Sequence, residues 1–399
     1  MFNNKNKAKT VAITGVGQSE VGRPSSKTAM QLTLDACKKA LDDAGLTRDD
    51  IDGIACWPGD NNNGDAFSPI GPSALISTLG LKVNWYGAGY EGPGPLAGII
   101  NGAMAIDAGL CNHVLVFRTI TEASKRQTDK TSSALTNKTV GRDSSFSWQW
   151  YTPFNVMSGI NLMAMYAQRH FHEFKTTSEQ LGQIPVTCRN NANLNPNAVF
   201  KDKKMTLDDY LESRFISTPL RLLDCDVHCD ASTVVILSRA DIAKDMRNTP
   251  IHIESMGAAL NQPWSWDQIS LTGMATQDAA NMMWKGTDLT PSDVGTAQLY
   301  DGFSILTLMW MESLGFCGLG EGGAFIEGGH RIARDGIIPI NTNGGQLSGG
   351  RTHGLGYVHE ACTQLWGRAG ERQVKDHQVS IAAAGGGPLA GCLLLSRDL

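Results

Sequence analysis

The chain has 399 residues, enough for two domains around a large buried core, and its 41% hydrophobic and 18% charged residues are ordinary for a globular protein. A net charge of −5, with no basic stripe interleaved with aromatics, excludes a general pull toward nucleic acid or anionic membrane. Residues 1–10 are polar and do not read as a secretory signal, and the richest apolar run, residues 305–310, is interrupted at Glu312, far short of the roughly 18 residues of a membrane helix.

In chain order, the first predicted strand is Val11-Ala-Ile-Thr-Gly-Val-Gly-Gln-Ser-Glu. Its glycines, Gly15-Val-Gly17-Gln-Ser-Glu-Val-Gly22, have the wrong spacing for a dinucleotide fingerprint. A helical stretch stops at Gly45, and Leu46-Thr-Arg-Asp-Asp50-Ile51 reads as a capped turn into a buried strand. Another strand is entered between Ala108 and Val116. From residue 119 to about 222 the pattern becomes polar and Ser/Thr/Asn-rich, with helical pieces at 160–174 and 206–214. The apolar strand Val234-Val-Ile-Leu-Ser238-Arg239 follows. A helix over 279–285 leads into Leu289-Thr-Pro-Ser-Asp293-Val294, again a capped turn and strand. The chain closes on Cys392-Leu-Leu-Leu-Ser396-Arg397.

Two of these units recur in the same order, the capped turn at 46 and 289 and the Ser-Arg strand at 234 and 392. That is the signature of a tandem duplication, with about 85 additional residues in the first copy. Alternating helices and strands indicate a layered α/β fold, and an excursion this long in a compact protein usually bears function. The 44 glycines cluster at 344–356 and 385–391, which suggests close backbone approach to a ligand. The nine cysteines are scattered among apolar neighbours, as small core residues in a reducing cytoplasm would be. Cys225-Asp-Val-His228-Cys229 lacks a second ligand pair at zinc spacing, so no metal site is expected.

Several motifs stand in the order found in one family. They are the opening strand, Asn193-Leu-Asn-Pro-Asn-Ala198, Leu222-Leu-Asp-Cys-Asp226, Tyr300-Asp301-Gly302-Phe303-Ser304, Gly344-Gly345 before His353-Gly-Leu-Gly356, and Ala383-Ala-Gly-Gly-Gly387. Together the chain resembles the thiolase superfamily, in its sterol-carrier and lipid-transfer branch. The resemblance implies a duplicated five-layer αβαβα thiolase fold with a loop domain inserted in the first half. Residues 1–118 and 223–245 would form the N-terminal half, 119–222 the inserted loop domain and 246–399 the C-terminal half.

The same resemblance locates what is missing. Thiolases attack a thioester with one cysteine and use a second for acid/base work. The matching positions here read Gly92 and Ala383, so chemistry through an acyl-cysteine is not expected. His353 stands at a thiolase catalytic histidine, where it could move a proton near neutral pH or donate to the thioester oxygen. Tyr300, with Asp301 beside it, replaces a histidine that holds that oxygen. Backbone amides at Gly385 and Gly386, with Gly92 and Gly345, are the expected substrate contacts.

A site that holds an acyl-CoA thioester without a nucleophile suits retro-aldol cleavage of a 3-hydroxyacyl-CoA, as in the thiolase-like aldolases that remove steroid side chains. Those aldolases carry a second tyrosine where this chain has Arg351, a poor base, so the catalytic candidates are Tyr300, His353, Asp301 and Arg351. The family implies a homodimer core, a separate small OB-fold/zinc-ribbon partner, and coenzyme A as part of the substrate with no other cofactor. Two other readings remain at this stage, a non-catalytic acyl-CoA or lipid-binding homologue and an acyltransferase using Cys111 or Cys317.

Overall fold

The computed structural model describes residues 9–59, 66–89, 94, 96–131, 152–156, 158–260 and 272–397. Its strands are β1 (Val11–Gln18), β2 (Gly53–Cys56), β3 (Trp85–Ala88), β4 (His113–Thr121), β5 (Phe215–Ser217), β6 (Leu220–Arg221), β7 (Asp230–Arg239), β8 (Ile251–Leu260), β9 (Thr296–Gln298), β10 (Val379–Gly386) and β11 (Leu389–Ser396). Nine of them form one sheet in the order β3-β2-β4-β7-β1-β8-β11-β10-β9, and β5 and β6 pair separately.

The sheet order makes the duplication explicit. Outward from the centre, β1-β7-β4-β2 runs antiparallel, antiparallel, parallel. On the other side β8-β11-β10-β9 repeats the same sequence of pairings. Within the sheet, among the described residues, the halves join where Ala12 and Ile13 of β1 pair with His252 and Ile251 of β8. The capped turns match in detail. Thr47 donates its N–H and hydroxyl to Asp50 Oδ2, both at 2.8 Å, and Thr290 does the same to Asp293 Oδ2 at 2.7 and 2.8 Å.

Strand residues alternate between two buried faces, which is why these strands read as continuous apolar runs. In the first half Val114, Val116, Val235 and Leu237 face inward, while Leu115, Phe117, Val234 and Ile236 face an outer layer carrying helix Ala29–Ala44. In the second half Ala382, Ala384, Leu393 and Leu395 face inward, while Ile381, Ala383, Cys392 and Leu394 face an outer layer with helices Ala275–Lys285 and Ser304–Ser313. Helices Leu96–Asp107 and Gly354–Leu365 fill the shared middle. The result is five layers, αβαβα.

Ala383 therefore lies in a strand wholly inside the protein, opposite Cys392, with its side chain toward the outer helices. The excursion contains the two helices expected, Gly159–Phe174 and Leu207–Glu212, the latter capped by Thr206. It also contains Glu122–Thr131, Ser178–Leu181 and Gln183–Asn193, and in the last the buried positions Ile184, Cys188 and Ala192 fall at helical spacing among polar residues. Residue 119 lies inside β4 rather than beyond it, because residues 119–121 still pair with β7.

The helix against each central strand crosses at a glycine. A Cβ on Gly17 would lie 2.3 Å from Ala36 O, and one on Gly257 would lie 1.8 Å from Ala279 O. Both distances are inside contact with backbone that cannot turn aside. Gly17→Ala and Gly257→Ala are each expected to lower stability by ~1–3 kcal/mol or more, measured by the urea midpoint.

Candidate active site

The site lies beyond the carboxyl ends of β2, β4 and β9, where the central layer begins with His353 at the N-cap of helix Gly354–Leu365. A single π-type turn, Gly345–Gly349, precedes it. The excursion steadies this turn from outside. Arg189 Nε donates to Ser348 Oγ at 2.9 Å, and Val199 and Phe200 donate their amides to Gly349 O and Ser348 O.

Asp301 is wholly buried and anchors the turn from within. Its Oδ1 accepts from Gln346 N at 2.8 Å and from Tyr357 Oη at 2.5 Å. Its Oδ2 accepts from Leu347 N at 3.3 Å and from Cys188 Sγ at 3.5 Å. Gln346 then reaches two ways, donating from Nε2 to Tyr357 Oη at 2.7 Å and accepting the His353 amide at 3.1 Å. Expected as a catalytic group, Asp301 has both oxygens engaged in holding the loop that carries His353. Gly345 belongs to the same clamp, since a Cβ there would lie 2.0 Å from Asp301 Oδ2 and its φ is +57°.

His353 has φ 55° and ψ −165°, a backbone region essentially reserved for glycine and costing about 1–3 kcal/mol. Its ring sits between two guanidiniums. Arg118 Nη2 lies 3.2 Å from Nδ1, and Arg351 Nε lies 3.1 Å from Nε2. Burial, followed by the charges of Arg118 and Arg351, pushes its pKa well below the usual histidine value. Both ring nitrogens thus face a guanidinium, and burial and these charges together oppose a proton on the ring.

Arg351 is the hub of the charged groups. Its Nε also lies 3.0 Å from Asp226 Oδ2, and its Nη1 lies 3.1 Å from His228 Nε2 and 3.5 Å from Glu122 Oε2. Burial opposes its charge, but Asp226, Glu122 and Tyr300 outweigh burial and raise its pKa. Asp226 is raised to about 6, chiefly by burial and further by Glu122 and Asp301, with Arg351 pulling the other way. Tyr300 is raised to about 12 by burial, although Arg351 favours its phenolate. A carboxylate titrating near 6 thus contacts Arg351, and a protonated phenol lies within electrostatic reach of the same arginine. Divergent proton affinities of this kind suit acid/base pairs.

Gly385 and Gly386 pair in register with Ala390 and Leu389 at the β10–β11 turn. A Cβ on Gly385 would lie 2.5 Å from Leu389 O, and one on Gly386 would lie 2.9 Å from Leu306. Hairpin geometry accounts for the first, and packing against helix Ser304–Ser313 for the second. Gly92 lies outside the described residues.

Neither cysteine put forward as a relocated nucleophile is a ready one. Cys111 is buried and pushed to about 11 by burial and Asp52, and Cys317 to about 12 by burial and Glu312. Among the described residues no group of three or more His, Cys, Asp or Glu could hold a metal, and no helix is long and apolar enough to cross a membrane. His228 of the half-cluster points to Arg351 instead.

Sequence reasoning missed Arg118, Asp226, Gln346 and Tyr357. Asp226 stood in a quoted motif, and Arg118 interrupts the apolar strand His113–Thr121. An arginine inside such a run is the signal that could have found it. Replacing Asp301 by Asn should leave a backbone or phenol donor unmet and lower stability by ~1–3 kcal/mol, read from the denaturation midpoint.

Residues 257–394 match the thiolase C-terminal domain-like family. Over 391 residues the chain is 32% identical to the 17-hydroxy-3-oxo-4-pregnene-20-carboxyl-CoA lyase of Mycobacterium tuberculosis, covering 96% of this chain and 98% of the relative. It is 31% identical to a steroid side-chain-cleaving aldolase of Thermomonospora curvata, over 96% of this chain and 97% of that one. The solved Ltp2-ChsH2(DUF35) aldolase superimposes with a TM-score of 0.86 at 30% identity, covering 98% of each chain. With the duplicated five-layer architecture, these full-length likenesses show that the chain belongs to the thiolase superfamily, in the thiolase-like branch that contains the steroid side-chain-cleaving aldolases.

Proposed function

We propose that this protein is a retro-aldol lyase acting on a 3-hydroxyacyl-CoA, with a steroid side-chain CoA thioester as the substrate class. The observation that carries the reading is the Asp226 carboxylate, raised to about 6 and 3.0 Å from Arg351, with a protonated Tyr300 within electrostatic reach of the same arginine, while burial pushes the Cys111 and Cys317 thiols up. Asp226 takes the proton of the 3-hydroxyl. The C2–C3 bond breaks, its electrons move into the thioester carbonyl, and a ketone leaves. Tyr300 then protonates C2 of the enolate, giving the shorter acyl-CoA, and recovers its proton from Asp226. No acyl-enzyme forms and no free coenzyme A is consumed.

Arg351 and His353 position this pair, and Asp301 holds their loop. The two lyase and aldolase relatives support the reaction class. The DUF35 component of the solved aldolase supports a separate small OB-fold/zinc-ribbon partner. The edge strand β3, with Tyr86 67% exposed, supports a homodimer. Buried thiols outside any disulfide, such as Cys37, Cys188, Cys362 and Cys392, support a reducing, cytoplasmic setting.

The chain, alone and with its small partner, is incubated with 3-hydroxyacyl-CoAs, and products are read by mass. Release of a ketone and a short acyl-CoA without added coenzyme A is expected; a requirement for free coenzyme A would mean thiolysis. Tyr300→Phe should lower kcat about 10²–10⁴-fold while leaving substrate binding unchanged. The base must be ionised, so kcat/KM should fall as pH drops through about 6, and Asp226→Asn should abolish that limb. Treatment with iodoacetamide at pH 7.5 should leave activity intact, whereas inactivation would favour a relocated cysteine.

A further inference from the structure

Arg118 is a charged side chain 2% exposed, on the central-layer face of β4, and the mechanism above does not use it. It is held as a flat plate. Its guanidinium carbon lies 4.4 Å from the centre of the Phe67 ring and 5.3 Å from that of Trp57. At its end it faces His353 Nδ1. Its donors outnumber its acceptors. Among the described residues Nε has no hydrogen-bond partner, and Nη1 has only a long contact of 3.4 Å to Thr119 O.

The remaining contact is contested. A neutral imidazole has one lone pair, yet His353 meets an arginine at each nitrogen, and arginine only donates. Arg351 has Asp226 besides, whereas no carboxylate lies within ion-pair distance of Arg118 among the described residues. Burial accordingly lowers its pKa to about 9, opposed by Glu122 and by Tyr300, which places Tyr300 within electrostatic reach. A fixed, dry, undersatisfied cation lacks one thing, an oxygen that is or becomes negative.

We infer that Arg118 is the electrophile of the site, donating to the thioester oxygen of the acyl-CoA as that oxygen becomes an enolate. This rests on the retro-aldol reading and adds a residue to it. The C2–C3 electron pair moves to the C1 oxygen, and the guanidinium receives that charge without having to reorganise. The aromatic plates fix its plane, and His353 fixes its reach. The arriving oxygen supplies the missing acceptor, so the interaction strengthens as charge develops.

The test separates enolate formation from carbon–carbon cleavage. In D2O the wild-type protein should exchange the C2 protons of the short acyl-CoA product, a reaction that needs the enolate alone. Arg118→Gln should slow both exchange and kcat about 10²–10³-fold, while the dissociation constant of an uncleavable 3-deoxyacyl-CoA changes less than about threefold. Arg118→Lys, which keeps the charge but loses the planar fork, should fall between the two; it carries the same readouts if the glutamine variant does not fold. Exchange and kcat close to wild type in Arg118→Gln, or a loss confined to the dissociation constant, would overturn the proposal, the latter marking a ground-state anchor. If the wild type exchanges C2 protons but cleaves no 3-hydroxyacyl-CoA, the lyase reading fails while the role of Arg118 stands.

Discussion

Asp301 sits where four parts of the chain meet, and its carboxylate accepts from three of them. The end of β9 supplies the residue, the helix after His353 supplies Tyr357, the π-type turn supplies two amides, and the excursion supplies Cys188. An anion buried this deeply persists only when its acceptor sites are filled, and here the filling groups are the ones that shape the site. Through Gln346 the same clamp reaches the His353 amide, which is how a histidine is kept at a backbone angle suited to glycine. The site is thus assembled from both halves of the duplication and from the excursion, and no one segment carries it.

Around this anchor the charges are arranged in two unequal groups. Arg351 is surrounded by Asp226, Glu122 and His228, so its charge is largely answered. Arg118 is enclosed by aromatic rings and a neutral imidazole, so its charge is not. Burying a guanidinium without a counter-ion is unfavourable in a resting protein, and such arrangements are found where a ligand completes them. The thiols tell the complementary story. Burial and nearby carboxylates hold those at Cys111 and Cys317 protonated, which removes covalent catalysis from the chemistry these residues can support.

Much of the fold was legible because it rests on local signals. The capped turns at Thr47 and Thr290 are short-range hydrogen-bond patterns, and their repetition announced the duplication that the sheet order displays. Tyr300 and His353 were legible only through the motifs the chain shares with the thiolase superfamily. The glycines also have uses within the chain: Gly345 makes room for Asp301, Gly385 for the β10–β11 hairpin and Gly386 for Leu306, because close approach to another part of the chain leaves the same composition as close approach to a ligand. That both oxygens of Asp301 and both ring nitrogens of His353 have partners was not legible, since neither burial nor partners can be read from a motif.

The order of residues alone determined the layered α/β duplication, the length of the excursion, and the absence of cysteine at residues 92 and 383. These depend on periodicity, capping and residue identity, which act within a few positions of the chain. Only the tertiary structure decided which charges face one another. Arg118 and His353 are 235 positions apart, and Arg351 meets Asp226, Glu122 and His228 across the join of two halves. Proton affinities follow from such juxtapositions and from burial, which no stretch of sequence contains. The missing cysteines say what chemistry is closed to this protein; the arginines on either side of His353 say what charge its site is built to receive.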